Sequence, residues 1–111
     1  MGNRVSIAFK NRGETSVVLF NHWGGTDFVS FALRYLEDLR GEIETTRSSH
    51  QPLGRLEPAT VMVDFVRFAT SGDERVMSDL YLARTPFEGD NTDNGHFEID
   101  VATGRVTHQP P

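Results

Sequence analysis

Two short polar stretches hold most of the residues in this chain that could do chemistry. The first is Asn21-His22-Trp23-Gly24-Gly25, which sets a histidine beside the single tryptophan and two consecutive glycines. His22 supplies a nitrogen that titrates near neutral pH, and Trp23 supplies a stacking surface. Gly24 and Gly25 permit close backbone approach, and a helix beginning just beyond would offer free N–H groups to an anion. His22, Trp23, Gly24 and Gly25 are therefore the candidate ligand-binding residues. The same residues also make an ordinary tight turn. In that reading the glycines shape the turn, His22 bonds locally and Trp23 enters the core, where large aromatics dominate in small domains. The core reading is favoured for Trp23, whereas both readings stay open for His22.

The second stretch is Asp90-Asn91-Thr92-Asp93-Asn94-Gly95. Closely spaced carboxylates and amides ending in a glycine suit a hard cation such as Ca²⁺ or Mg²⁺, which needs several oxygens on a tightly bent backbone. Asp90, Asn91, Asp93 and Asn94 are the candidate metal ligands. An EF-hand is excluded, because Val101 stands where the bidentate Glu belongs and no helices flank the loop. A solvated turn leading into a hairpin, with Asp and Asn side chains bonding the nearby backbone, explains the same residues and is the stronger single explanation.

Familiar catalytic signatures are missing. The chain has no Gly-x-Ser-x-Gly elbow, no His-Glu-x-x-His, no P-loop and no Gly-x-Gly-x-x-Gly. Its histidines (His22, His50, His96, His108) are scattered, and Asp64, three residues before Arg67, reads as half of a surface ion pair. The lack of cysteine excludes disulfides, thiolate chemistry and cysteine-ligated zinc, and it fits a reducing cytoplasm. With a formal charge of -5, a protein or small polar ligand is expected as partner ahead of nucleic acid, whose general binders are basic. No apolar run approaches the ~18 residues that span a bilayer, and no signal-peptide core opens the chain, so a cytoplasmic, non-membrane protein is expected.

The elements that must position these stretches follow from periodicity. Residues 4–10 alternate, with Val5, Ile7 and Phe9 inward and Arg4, Ser6, Ala8 and Lys10 outward, as in a half-buried strand. A turn at 11–14 and a second β-rich run at 16–21 complete an N-terminal hairpin. Thr26 is placed to cap a helix with Asp27 in its first turn, and Phe28, Ala32, Tyr35, Leu36 and Leu39 recur at helical spacing. On its outer face Arg34 and Asp38 stand four apart, the spacing of an ion pair, and Gly41 weakens or ends the helix. Residues 45–56 read as a polar loop holding Arg47, His50 and Arg55. Residues 58–71 carry polar positions spaced four, three and four, and Pro58 suits a first turn, so a second helix is predicted.

After a turn at 71–74, a strand is expected within 76–83, followed by a long acidic loop to Gly95. Residues 96–101 alternate again, with Phe97, Ile99 and Val101 inward and His96, Glu98 and Asp100 outward. A tight connection at 102–104 leads to a short return strand at 105–107. At 111 residues this is one domain, taken as 1–108, with 109–111 as a frayed tail. The order is ββααβββ. It predicts an α+β two-layer sandwich: a mostly antiparallel sheet of about five strands with two helices on one face.

Three segments taken in order, Met1-Gly2-Asn3-Arg4, the Asn-His-Trp-Gly-Gly turn and the Asp-Asn-x-Asp-Asn-Gly stretch, resemble a family of small uncharacterised proteins from bacteria, archaea, phages and plasmids. The resemblance spans most of the chain. It implies a helix at 58–71 and a phage or mobile-element origin, and it brings no assigned activity. The function expected from these observations is that of a small non-enzymatic binding or regulatory protein engaging a protein or small polar ligand. The alternative is a divalent-metal-assisted hydrolase or nuclease, with Asp90 and Asp93 holding the ion and His22 as acid or base, which requires the two loops to meet. A third reading is a structural subunit that self-associates through an exposed strand edge.

Overall fold

The alternating run that begins at Val5 becomes the middle of the sheet. A computed structural model describes residues 2–46, 57–71 and 79–111. Along it lie β1 (Val5–Asn11), β2 (Glu14–Thr15), β3 (Val18–Asn21), α1 (Gly25–Thr46), α2 (Pro58–Thr70), β4 (Leu80–Ala83), β5 (His96–Asp100) and β6 (Val106–Gln109). The sheet order is β4-β3-β1-β5-β6, with β2 continuing the hairpin from β1. Every pairing is antiparallel except β1 with β5, which run parallel from Ser6↔His96 to Lys10↔Asp100. The α+β two-layer arrangement with a mostly antiparallel sheet is the one the periodicity predicts.

The hairpin turn places Arg12 and Gly13 at φ 53° and 82°, a two-residue connection whose twist matches the strands it joins. Register slips by one residue between Lys10↔Thr15 and Ile7↔Leu19, which leaves a bulge at Ser16 and Val17. Ser16 closes it: its N–H donates to Phe9 O at 2.8 Å, and its Oγ accepts from Phe9 N at 3.0 Å.

Both helices cover the face that carries Val5, Ile7, Phe9, Leu19 and Ile99. α2 contributes Val61, Met62, Phe65 and Ala69, and α1 contributes Phe28, Val29, Ala32, Tyr35 and Leu36. Phe65 sits at the middle, with ring centroids 5.1 Å from Tyr35, 5.6 Å from Phe9, 5.7 Å from Phe28 and 5.8 Å from Phe31. No helix among the described residues is long and apolar enough to cross a membrane.

Several expectations need correction. Ser6 and Ala8 do not face solvent: both are fully buried, because the 85–95 segment folds across the sheet face opposite the helices. His96, also expected outward, is 2% exposed for the same reason. Thr26 does not cap α1, which begins one residue earlier at Gly25, and Gly41 does not end it. Asp64 does not pair with Arg67. Its carboxylate accepts a 2.6 Å hydrogen bond from Tyr35 Oη across the two helices. Arg34 and Asp38 form no ion pair among the described residues. The return strand extends through His108 and Gln109, and Pro110 and Pro111 lie against Gly95 rather than fraying. Of the loop predicted at 45–56, Thr45 and Thr46 belong instead to α1, and the remainder with Arg47, His50 and Arg55, most of the turn at 71–74 and the first part of the 76–83 strand lie outside the described residues.

Candidate functional site

The segment from Gly2 to Arg4 enters β1 between the two polar loops and joins them. On one side Asn3 N donates to His22 O and Gly25 N donates to Asn3 O, both at 2.8 Å. On the other, Arg4 O accepts from Asn94 N at 3.0 Å and from Asn94 Nδ2 at 2.9 Å, and Asn94 Nδ2 also donates to Asn3 Oδ1 at 2.8 Å. Asn3-Arg4, the 21–25 turn and the 90–95 loop, far apart in sequence, thus meet at one corner of the sheet.

The turn is built tightly. Asn21 Oδ1 accepts from Trp23 N and Gly24 N, each at 2.9 Å. Gly25 stands at φ 55° with its Cα against the Asn3 side chain, so a Cβ there would be both strained and obstructed. The amides of Gly24 and Gly25 are consumed by Asn21 and Asn3. Trp23 is not a core residue: it is 46% exposed, with its Nε1–H donating to Asp79 Oδ2 at 2.7 Å. The core is filled instead by the phenylalanines. The partly buried His22 ring meets Trp23 edge-on, with centroids 4.4 Å apart at 62°.

Among the metal candidates, Arg4 stands where a cation would. Its Nε lies 3.0 Å from Asp90 Oδ2 and its Nη1 3.4 Å from Asp93 Oδ2, while Arg4 N donates to Asp93 Oδ2 at 2.8 Å. Hydrogen bonds from Thr92 Oγ1 (2.7 Å) and Thr92 N (3.1 Å) hold the Asp90 carboxyl below its ordinary range, helped by the charges of Arg4 and His22. The two loops adjoin through Asn3, which bonds His22 O on one side and Asn94 on the other. Asn91 and Asn94 turn away from the carboxylates, Asn91 inward to Ser6 and Asn94 to Asn3 and Arg4. Among the described residues, no three His, Cys, Asp or Glu side chains gather to hold a metal ion.

A second polar cluster lies just below this corner, and sequence reasoning missed it. Ser6 Oγ is 2.8 Å from His96 Nδ1 and accepts from Asn91 Nδ2 at 2.9 Å. Asn91 Nδ2 also donates to Pro86 O at 3.2 Å. Ser6 Oγ and His96 Nδ1 share one hydrogen bond whose direction follows the ring tautomer. Nε2 is buried without a hydrogen-bond partner, 3.7 Å from Glu98 Oε2. Burial lowers the His96 pKa below the ordinary histidine value, against the opposing pull of Glu98. Glu98 in turn lies 3.7 Å from Lys10 Nζ, which donates to Thr107 Oγ1 at 3.1 Å. The order Ser-His-Glu resembles a nucleophile relay, but Ser6 is fully buried beneath Asn91 and offers no surface to a substrate. What the cluster does is fasten the 85–95 segment to the parallel β1–β5 pair.

At the corner itself, Arg4 serves both Asp90 and Asp93, Asp79 accepts from Trp23, and the Trp23 indole is the exposed apolar surface. Compared with known proteins, the chain matches no family model, no curated protein and no solved structure.

Proposed function

We propose that this is a small non-enzymatic binding protein that presents the His22–Trp23 turn to a protein or small polar ligand. One observation carries the reading: Arg4 is taken up by Asp90 and Asp93, yet the single tryptophan stays 46% exposed beside the partly buried His22 ring. Exposed tryptophan on a rigid support is the kind of anchor that dominates recognition surfaces. The support is rigid because the turn is tied to Asn3 and through it to the 90–95 loop. A phage or mobile-element origin and a cytoplasmic location rest on the sequence alone. The test is affinity capture with the intact protein and with Trp23→Ala, followed by titration of the captured partner while the Trp23 indole N–H is monitored by NMR. A partner that binds the intact protein, shifts that resonance and loses at least tenfold affinity for the variant supports the reading. Robust turnover of a substrate, abolished by His22→Ala, would sink it.

The bridging of the His22 turn to the 90–95 loop through Asn3 favours one second reading, metal-assisted hydrolysis. It requires Arg4 to give way to a divalent ion between Asp90 and Asp93. A ligand at ~100 times its Kd adds about 2.7 kcal/mol of stability. A thermal shift of that size with Mg²⁺, Ca²⁺ or Mn²⁺ would support it, and unchanged melting with all three would remove it.

A further inference from the structure

Three helical turns beyond the corner, α1 and α2 diverge around a groove of about 520 Å³. This size falls within the ~300–1,000 Å³ of ordinary small-molecule sites. Its floor is aromatic. Tyr35 and Phe68 set their rings 5.4 Å apart, and Phe68 stays 46% exposed although it also stacks on Phe31 at 5.3 Å. Its rim carries Asp38, Glu42 and Asp64 against the single cation Arg67. Asp38 makes no ion pair or hydrogen bond among the described residues, and Arg67 stands outside ion-pair range of every described carboxylate.

Tyr35 keeps its phenolic proton. Its hydroxyl is tied to Asp64, and burial together with that carboxylate pushes its pKa far above the ordinary tyrosine value. Its ring is therefore a neutral π surface, with the hydroxyl proton directed at Asp64 Oδ2. Aromatic faces beneath an excess of carboxylate recognise organic cations: the rings attract the charge electrostatically and cover the alkyl stem, while carboxylates accept the N–H bonds. A bare metal ion fits poorly, because no three ligating groups converge among the described residues.

We propose that the α1–α2 groove binds a small organic cation bearing an alkylammonium or guanidinium group, its head between Asp38 and Asp64 and its stem along the Phe68 ring. The site is separate from the His22–Trp23 turn and stands or falls without it.

The experiment is calorimetric and NMR titration of the intact protein with spermidine, agmatine and choline at fixed ionic strength. Matched NaCl, a neutral diol and a lysine-rich peptide serve as comparison arms. Asp38→Asn is the informative variant, since Asp38 is exposed and makes no ion pair among the described residues. Phe68→Ala removes the ring, and Trp23→Ala is the control at the other site. The expected result is saturable binding that shifts Tyr35 and Phe68 resonances, weakened roughly five- to tenfold by Asp38→Asn and by Phe68→Ala and unchanged by Trp23→Ala. Failure of all three amines to bind at about 10 mM would overturn the proposal, since a Kd weaker than 1 mM corresponds to less than about 4 kcal/mol of affinity. So would equal affinity for Asp38→Asn, an equal response to NaCl, or binding of the peptide alone.

Discussion

Removing the Ser6 hydroxyl tests how the 85–95 segment is held. Ser6 Oγ takes part in two hydrogen bonds at once, accepting from Asn91 Nδ2 at 2.9 Å and meeting His96 Nδ1 at 2.8 Å. Each such bond contributes about 1 kcal/mol net, and a buried group left without its partner costs about 1–3 kcal/mol. Ser6→Ala strands His96 Nδ1 in a ring that already has one buried nitrogen unpaired, and it also removes a partner from Asn91. The expected loss is about 2–4 kcal/mol, a large share of the ~5–15 kcal/mol that stabilises a domain of this kind. At roughly 4–8 °C per kcal/mol, Tm should fall by about 10–25 °C. Asn91→Ala should cost about 1–3 kcal/mol, since it loses its bonds to Ser6 and Pro86 O. Because the two variants delete one shared bond, the double variant should cost less than the sum, by about 1 kcal/mol or more. Urea unfolding followed by far-UV circular dichroism gives all four corners of the cycle. A Ser6→Ala loss below about 0.5 kcal/mol, or additivity within about 0.3 kcal/mol, would refute a shared buried network.

Other perturbations have equally definite outcomes. His96 binds its proton less readily folded than unfolded, chiefly through burial, so its contribution to stability should be complete above about pH 6.5 and decline as pH falls below it. His96→Gln should flatten that decline between about pH 6.5 and 5, and an identical slope in the variant would assign the effect elsewhere. Phe65→Ala should cost about 3–5 kcal/mol, because its ring meets those of Phe9, Phe28, Phe31 and Tyr35, and urea midpoints measure it directly. Gly89→Ala would set a Cβ 2.7 Å from the Phe20 ring and 2.8 Å from the Tyr81 ring, which stack at 4.8 Å, so a loss of about 1–3 kcal/mol is expected by chemical denaturation.

Local pattern carried the elements well. Alternation located β1 and β5, and the four-three-four spacing of polar residues, with Pro58, located α2 against its β-branched content. What failed was anything decided by distant partners. Ser6 and His96 each look outward-facing within their own strands, and only the parallel pairing of strands ninety positions apart, under Asn91, makes them core. Trp23 was assigned to the core on size, but the volume was already filled by phenylalanines that recur at helical spacing. The two candidate loops are polar in sequence, and their meeting through Asn3 is set by the fold. That Arg4 would sit between the Asp90 and Asp93 carboxylates was not legible, because an arginine at the start of a strand carries no mark of its eventual counter-ions. Gly25 did leave a trace, since a second glycine before a helix anticipates a backbone that side chains rarely adopt.

The parallel neighbourhood of β1 and β5 also constrains the order in which the molecule can assemble. β1 is synthesised long before β5, the parallel partner whose paired residues stand 90 positions further on. Contacts of such separation carry a large loop-closure cost before they contribute, and they slow folding accordingly. During synthesis the β1–β3 hairpin can form early, with β1 bearing an open edge until the β5–β6 hairpin emerges and docks. A chain interrupted before His96 would keep that edge unpaired and prone to association. Conversely, the β5–β6 hairpin supplied as a separate peptide is the natural fragment to restore the sheet of a chain ending at Gly95.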